Sequence, residues 1–389
     1  MIMRRIGVLT TGRQDWGILR STARMLRDDP AFDLVLLAGG MHASAHFGRT
    51  VREVEADGFR PAALMGWIDD RGEPGPLGQT SSAVNMVGEA LERLRPDAML
   101  LVGDRFETAA GALAATLARV PLIHLHGGEE TEGAIDNALR HAITKLSHFH
   151  LVSHVLHRER VISMGEDPAC VHVVGAPGLD NLHRSDLASR EEIEQFLGLN
   201  LRPPVVLVTV HPTTLAADPA ADARALCAAM DRVDATYVIT QPNADPGNGA
   251  VLAEIAKAAE KPRRVAVAAL GERRYWGLMR FADAMAGNSS SAVIEAPVLG
   301  LPAVNIGDRQ RGRLRGENLV DAAPEAGAVE AALRLALSAE FREQARRAPS
   351  PFGDGRSSER IREALASWNP DKPLSKRHGV PRQSEHMRG

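Results

Sequence analysis

Between Ile6 and Ile306 short apolar runs alternate with longer stretches of helical period, the order that winds a chain into βαβ units and parallel sheets. Runs at Ile6–Thr10, Leu34–Ala38, Met99–Val102, Leu122–Leu125, Phe149–Val152 and Val171–Val174 predict the strands of a first sheet. Helices are expected between them, at Ser81–Leu94, Glu107–Ala118, Asp136–Ser147 and Leu156–Met164. A glycine and proline break, GAPGLDNL at 175–182, interrupts the alternation, and the pattern then restarts. Strands are predicted again at Val205–Val210, Thr236–Thr240, Val265–Ala268, Ala284–Ala286 and Ala303–Ile306. Helical stretches accompany them at Arg190–Leu197, Ala220–Met230, Gly249–Ala258, Tyr275–Phe281 and Ala292–Leu299. The expected fold class is therefore α/β, with two Rossmann-like parallel-sheet domains, 1–177 and 178–354, and an interdomain cleft as the favoured ligand site. The polar stretch 369–389 has little periodicity and reads as a disordered tail.

Composition removes several function classes. The 389 residues are 44% apolar, enough for two cores of ordinary size. With 46 basic and 49 acidic side chains and no long block of one sign, a nucleic-acid partner or a polybasic membrane role has no electrostatic support. Cys170 and Cys227 stand alone, without a disulfide framework or a cysteine zinc pattern. The N-terminal apolar run is too short for a signal segment, and no window reaches the ~18 apolar residues that span a bilayer. The expectation is a soluble cytoplasmic protein in a reducing compartment.

Ligands of parallel sheets bind outside the carboxyl ends of the strands, so the residues just past each apolar run carry the chemistry. Two neighbouring exits are loaded with ionisable groups: AMLLVGDRFE delivers Asp104 and Arg105, and LIHLHGGEETEGAIDNALRHAITK delivers His124, His126, Glu129, Glu130, Asp136 and Arg140. Clustered carboxylates in a partly dry cleft raise one another's proton affinity, which lets one site hold an acid and a base near neutral pH. Two blander readings stand beside this: Asp136 as the N-cap of its helix, and His124 as a satisfied core histidine inside its strand's alternation.

Three further exits suit an anionic ligand. The turn TTGRQDWG places small residues and Arg13 at a helix start, a weak phosphate signal without G-x-G-x-x-G spacing. GNSSSAVIEAP offers Asn288, Ser289, Ser290 and Ser291 as a diphosphate cradle, with Glu295 placed to reach ribose hydroxyls; an N-cap cluster would look similar. TVHP brings His211 to a strand exit, and PNAD brings Asn243 to the next. Neither H-E-x-x-H nor any zinc deaminase spacing is present, so metal catalysis is not suggested, and the G-x-S-x-G elbow of α/β-hydrolases is absent.

Taken together and in order, GDRFE, HLHGGEETEGAID..LRHAITK, TVHP, GNSSSAVIEAP and VNIGDRQRGR resemble the hydrolysing UDP-N-acetylglucosamine 2-epimerases, in the branch serving sialic and legionaminic acid biosynthesis. The resemblance runs from about residue 4 to about residue 320. It implies a GT-B fold in which a C-terminal helix, here Ser358–Ser367 within 355–368, crosses back to the first domain. It also implies a cytoplasmic homo-oligomer, dimer or tetramer, with a UDP-sugar substrate and no metal or nicotinamide cofactor.

The implied chemistry has two steps. H-2 of the sugar is removed as UDP leaves C1 by anti elimination, giving a 2-acetamidoglycal; water then adds with the opposite face at C2 exposed, releasing the free manno-configured sugar. Asp104 matches the family's catalytic aspartate, Asp136 the carboxylate of its GxID segment and His211 its histidine near the leaving phosphate. Ser289, Ser290 and Glu295 match diphosphate and ribose contacts, and Arg13 the basic residue of the first turn, while Arg105, Arg140, Asn243, Asn288, Ser291 and Arg313 complete the expected binding set. Many relatives place a glutamate where this chain has His126, so the proton-transfer role falls either to His126 or to Glu129. The substrate the resemblance implies is UDP-N-acetylglucosamine or a UDP-2,4-diacetamido-trideoxy sugar. Two alternatives remain, a GT-B glycosyltransferase using a UDP-sugar donor and a non-catalytic nucleotide-sugar-binding protein.

Overall fold

The computed structural model describes residues 3–69, 74–130, 135–213, 217–242, 247–369 and 376. They form two compact units, one of residues up to Asp180 together with the stretch from Gly355, the other of Asn181–Asp354. In the first, seven strands pair in parallel: β1 (Arg4–Thr10), β2 (Phe32–Gly39), β3 (Ala63–Met65), β4 (Ala98–Val102), β5 (Leu122–Leu125), β6 (Phe149–Val152) and β7 (Val171–Val173). Their spatial order is β3-β2-β1-β4-β5-β6-β7, so the direction of winding reverses between β1 and β4. Side chains alternate between two apolar layers. Ala98, Leu100 and Val102 of β4 enter one core with Trp16 and Leu19, while Met99 and Leu101 enter the other with Val87 and Leu91. A strand buried on both faces must be apolar throughout, which is why β4 is legible in the sequence.

The second unit repeats the plan with six parallel strands: β8 (Val205–Thr209), β9 (Thr236–Thr240), β10 (Arg264–Val267), β11 (Ala284–Gly287), β12 (Ala303–Ile306) and β13 (Leu319–Ala322). The order is β10-β9-β8-β11-β12-β13, with the reversal between β8 and β11. Val206 and Val208 of β8 face one core, Val205 and Leu207 the other. No helix among the described residues is long and apolar enough to cross a membrane.

Some elements depart from expectation. The edge strands β3 and β13 have no counterpart among the apolar runs, since each is short and partly exposed, with Leu64 facing solvent. The helical stretch expected at Ala292–Leu299 is broken into an α-helical turn, Ser291–Ile294, and a 3₁₀ segment, Ala296–Leu299. Pro297 lacks the N–H that a continuous helix would need there. The expected tail lies outside the described residues except for Asn369 and Lys376, the latter of which donates to Glu166 at 2.7 Å.

Candidate active site

The first unit's winding reversal sits between the exits of β1 and β4, and both carry charge. After β1, the buried Asp15 carboxylate accepts from the Thr11 backbone N–H at 2.9 Å and from the Thr11 hydroxyl at 2.5 Å, which closes the turn that starts the helix Arg13–Asp28. Burial raises the Asp15 pKa, opposed by these bonds and by Arg105. Arg13, the first residue of that helix, is exposed. After β4, Gly103 turns the chain through a φ of +78°, and Asp104 and Arg105 lead into the helix Phe106–Leu117. Arg105 pairs with the buried Glu107 at 2.7 Å.

The exit of β5 supplies the rest. His126 takes a φ of +63°, a left-handed conformation uncommon outside glycine that costs on the order of 1–3 kcal/mol when imposed by the surroundings. Its Nδ1 lies 2.6 Å from Glu129 Oε1, and its Nε2 is buried with no hydrogen-bond partner among the described residues. The helix Ile135–Leu146 then brings in Arg140, buried, whose guanidinium donates to Asp104 and, at 2.8 Å, to the Glu129 carbonyl. One side chain thus ties the β4 exit to the β5 exit. Asp136 lies in the first turn of the same helix rather than before it. Its pKa is raised by burial and by the charge of Asp104. His124 fills a structural role: wholly buried, it meets the Gly103 carbonyl at 2.8 Å and Thr144 Oγ1 at 3.2 Å, and burial pushes it down to about 3.

In the second unit the reversal lies between the exits of β8 and β11, and a single asparagine joins them. Asn288 accepts from the His211 N–H at 2.7 Å and donates to the His211 carbonyl at 2.9 Å and to Asp222 at 2.8 Å. These bonds occupy its fully buried amide, so Asn288 clamps His211 in place. Burial, with Arg309 adding to it, pushes His211 down to about 4, which keeps the ring neutral at pH 7. The Asn288 carbonyl accepts from Gln310 at 2.9 Å and from Arg309 at 3.2 Å. Ser289 Oγ accepts from the Ser291 N–H at 3.3 Å, and Ser290 precedes the short helical turn that ends at Glu295. Tyr275, from the helix Gly271–Phe281, faces this turn: burial pushes its phenol up to about 12, with the Ser291 hydroxyl lowering it and Glu295 raising it. Arg313 lies in the loop after β12, its N–H bonded to the Gln310 carbonyl at 3.3 Å. Asn243 falls outside the described residues. Sequence reasoning misses Asp15, Tyr275, Arg309 and Gln310; of these, Arg309 and Gln310 lie within the VNIGDRQRGR motif and are within reach of it.

The family model for UDP-N-acetylglucosamine 2-epimerase matches residues 24–366. The chain belongs to this family. It is 32% identical over 348 residues to the GDP/UDP-N,N'-diacetylbacillosamine 2-epimerase (hydrolyzing) of Campylobacter jejuni, 88% of this chain and 90% of that one. With the UDP-N,N'-diacetylbacillosamine 2-epimerase (hydrolyzing) of Legionella pneumophila it shares 32% over 374 residues, 94% and 96% of the two chains. Among solved structures, the Neisseria meningitidis UDP-GlcNAc 2-epimerase bound to UDP-GlcNAc superposes with a TM-score of 0.73 at 16% identity, covering 93% of this chain and 99% of that one. The two parallel-sheet units are accordingly those of the GT-B-like fold of the epimerase family.

Proposed function

We propose that the chain is a hydrolysing 2-epimerase that converts a UDP-linked 2-acetamido sugar to the free manno-configured sugar and UDP. The observation that carries this reading is the gathering of Asp104, Asp136, Arg140 and the His126–Glu129 pair at the adjacent exits of β4 and β5. Removing H-2 needs a base, and the hydrogen is not acidified by a carbonyl, so positive charge develops on the ring as the C1–O bond breaks. Carboxylates beside the ring stabilise that charge. His126 Nε2 takes the proton, the C–H electron pair becomes the C1–C2 double bond, and the C1–O pair leaves with UDP. Water then adds its oxygen to C1 while Asp136, whose proton affinity is raised by burial and by the charge of Asp104, delivers a proton to the other face of C2, and the proton shed by the water returns to the Asp136 carboxylate.

Ser289, Ser290 and Ser291 bind the diphosphate, Glu295 the ribose hydroxyls, and neutral His211 donates to the departing phosphate, with Arg13, Arg105, Asn243 and Arg313 adding polar contacts. The names of the Campylobacter and Legionella relatives favour a 2,4-diacetamido-trideoxy sugar over N-acetylglucosamine. The protein acts as a cytoplasmic homo-oligomer in this reading. A panel of UDP sugars, incubated without acceptor and followed by NMR, is the test. Free 2-epimer and UDP are expected, with the glycal as a transient; UDP-sugars left intact, or hydrolysis with retained configuration at C2, would reject the reading in favour of a transferase or a binding protein.

A further inference from the structure

A line of hydrogen bonds runs from His126 away from the site and ends on a second histidine. Glu129 Oε1 meets His126 Nδ1 at 2.6 Å and accepts from the Ser153 hydroxyl at 2.7 Å, and Ser153 Oγ in turn meets His157 Nδ1 at 2.9 Å. The members come from the exit of β5, the exit of β6 and the helix Val155–Ser163. Ser153 and His157 are buried. Gly128 lets these segments close up, because a Cβ there would stand 2.5 Å from the His157 carbonyl oxygen.

With Glu129 ionised, donor chemistry leaves one arrangement. An ionised carboxylate only accepts, so the single hydroxyl proton of Ser153 goes to Glu129, and the Ser153 oxygen has only lone pairs left to offer His157. His157 must then carry its proton on Nδ1. Burial, with Arg160, His154 and His126 adding to it against the pull of Glu129, pushes His157 down to about 4, so the ring is neutral at pH 7. The same logic at the other end puts a proton on His126 Nδ1, facing Glu129.

We infer that Ser153 and His157 are positioning residues: they hold the Glu129 carboxylate in one orientation and so fix His126 with its proton on Nδ1, leaving Nε2 as the nitrogen offered to substrate. What Nε2 does there rests on the epimerase reading; the tautomer itself does not. Which nitrogen of a histidine is free is set by the bond the other makes.

Two measurements on the full-length protein decide it. Histidine ¹⁵N NMR at neutral pH without substrate should show both His126 and His157 protonated at Nδ1; a proton on Nε2 of His157 would overturn the relay whether or not the protein is an epimerase. In the epimerase assay Ser153→Ala should lower kcat about 10- to 100-fold with KM little changed, and Ser153→Thr, which keeps the hydroxyl, should restore most of it. Wild-type kcat in Ser153→Ala, a loss confined to KM, or no rescue by threonine would contradict the inference. A wild-type protein that epimerises no UDP sugar would sink the functional reading and leave the NMR result standing.

Discussion

At Gly287 the backbone has no room for a side chain: the residue has a φ of +140°, and a Cβ would stand 1.9 Å from the Thr209 carbonyl oxygen. The next residue, Asn288, bonds both the N–H and the carbonyl of His211, so a shift of the backbone here would move that clamp. Gly287→Ala is therefore expected to cost about 2 kcal/mol or more, read as a lower urea midpoint, with substrate affinity falling alongside. Asp104→Asn should fold normally, since Arg140 keeps an acceptor and the Glu129 carbonyl, but lose about 100-fold or more in kcat; a near-wild-type rate would remove Asp104 from the chemistry. At this scale the sequence is informative where a candidate residue follows a strand exit, as for Asp104, His126 and His211. It is silent where a contact joins distant segments. Ser153 and His157 lie 24 and 28 positions beyond Glu129 in an ordinary strand-to-helix stretch, and only the parallel pairing of β5 with β6 brings them behind the site.

The element that most depends on distant partners is the C-terminal helix Ser357–Ser367. Asp180 caps it from the far end of the first unit's main segment, accepting the Ser357 and Ser358 N–H groups at 2.7 Å each. Ile361, Ala364, Leu365 and Trp368 then fill the core that also holds Trp16, Leu19 and Ala23. Arg4 of β1 caps the other end, donating to the Ala366 carbonyl at 2.9 Å and the Trp368 carbonyl at 3.2 Å. Asp180→Ala should cost about 1–2 kcal/mol, the usual range for a lost N-cap, in thermal or urea unfolding. No measurable change would mean the helix is held by packing alone. Interior strands are readable in the sequence because burial on both faces demands continuous apolar character; of the four edge strands, where that demand is relaxed, β7 and β10 still show as apolar runs and β3 and β13 do not.

On the scale of the whole molecule, the sequence shows two rounds of strand and helix, but the order β3-β2-β1-β4 and its echo β10-β9-β8-β11 come from how strands pair, which periodicity does not record. The molecule also carries a set of buried neutral histidines. His42, His157 and His211 are pushed down to about 4 and His124 to about 3, each chiefly by burial. Their folded values lie below the unfolded value of 6.5, so their contribution is whole above that pH and is lost as the pH falls toward the folded values. Asp15, Asp136, Asp180 and Asp222, raised chiefly by burial, work in the opposite sense near the bottom of that range. Urea unfolding at about pH 5 should show a loss of several kcal/mol relative to about pH 7, at roughly 1.4 kcal/mol per unit for each histidine below its unfolded value. Equal stability at the two pH values would show that these rings are not held neutral.

The proposed reaction depends on a hydrogen being taken from C2 by groups at the exits of β4 and β5. Turnover of a UDP-linked 2-acetamido sugar in D₂O, with the released sugar examined by ¹H NMR, tests this directly. Deuterium at C2 of a free manno-configured product is the predicted result; protium retained at C2 of the released sugar would contradict it.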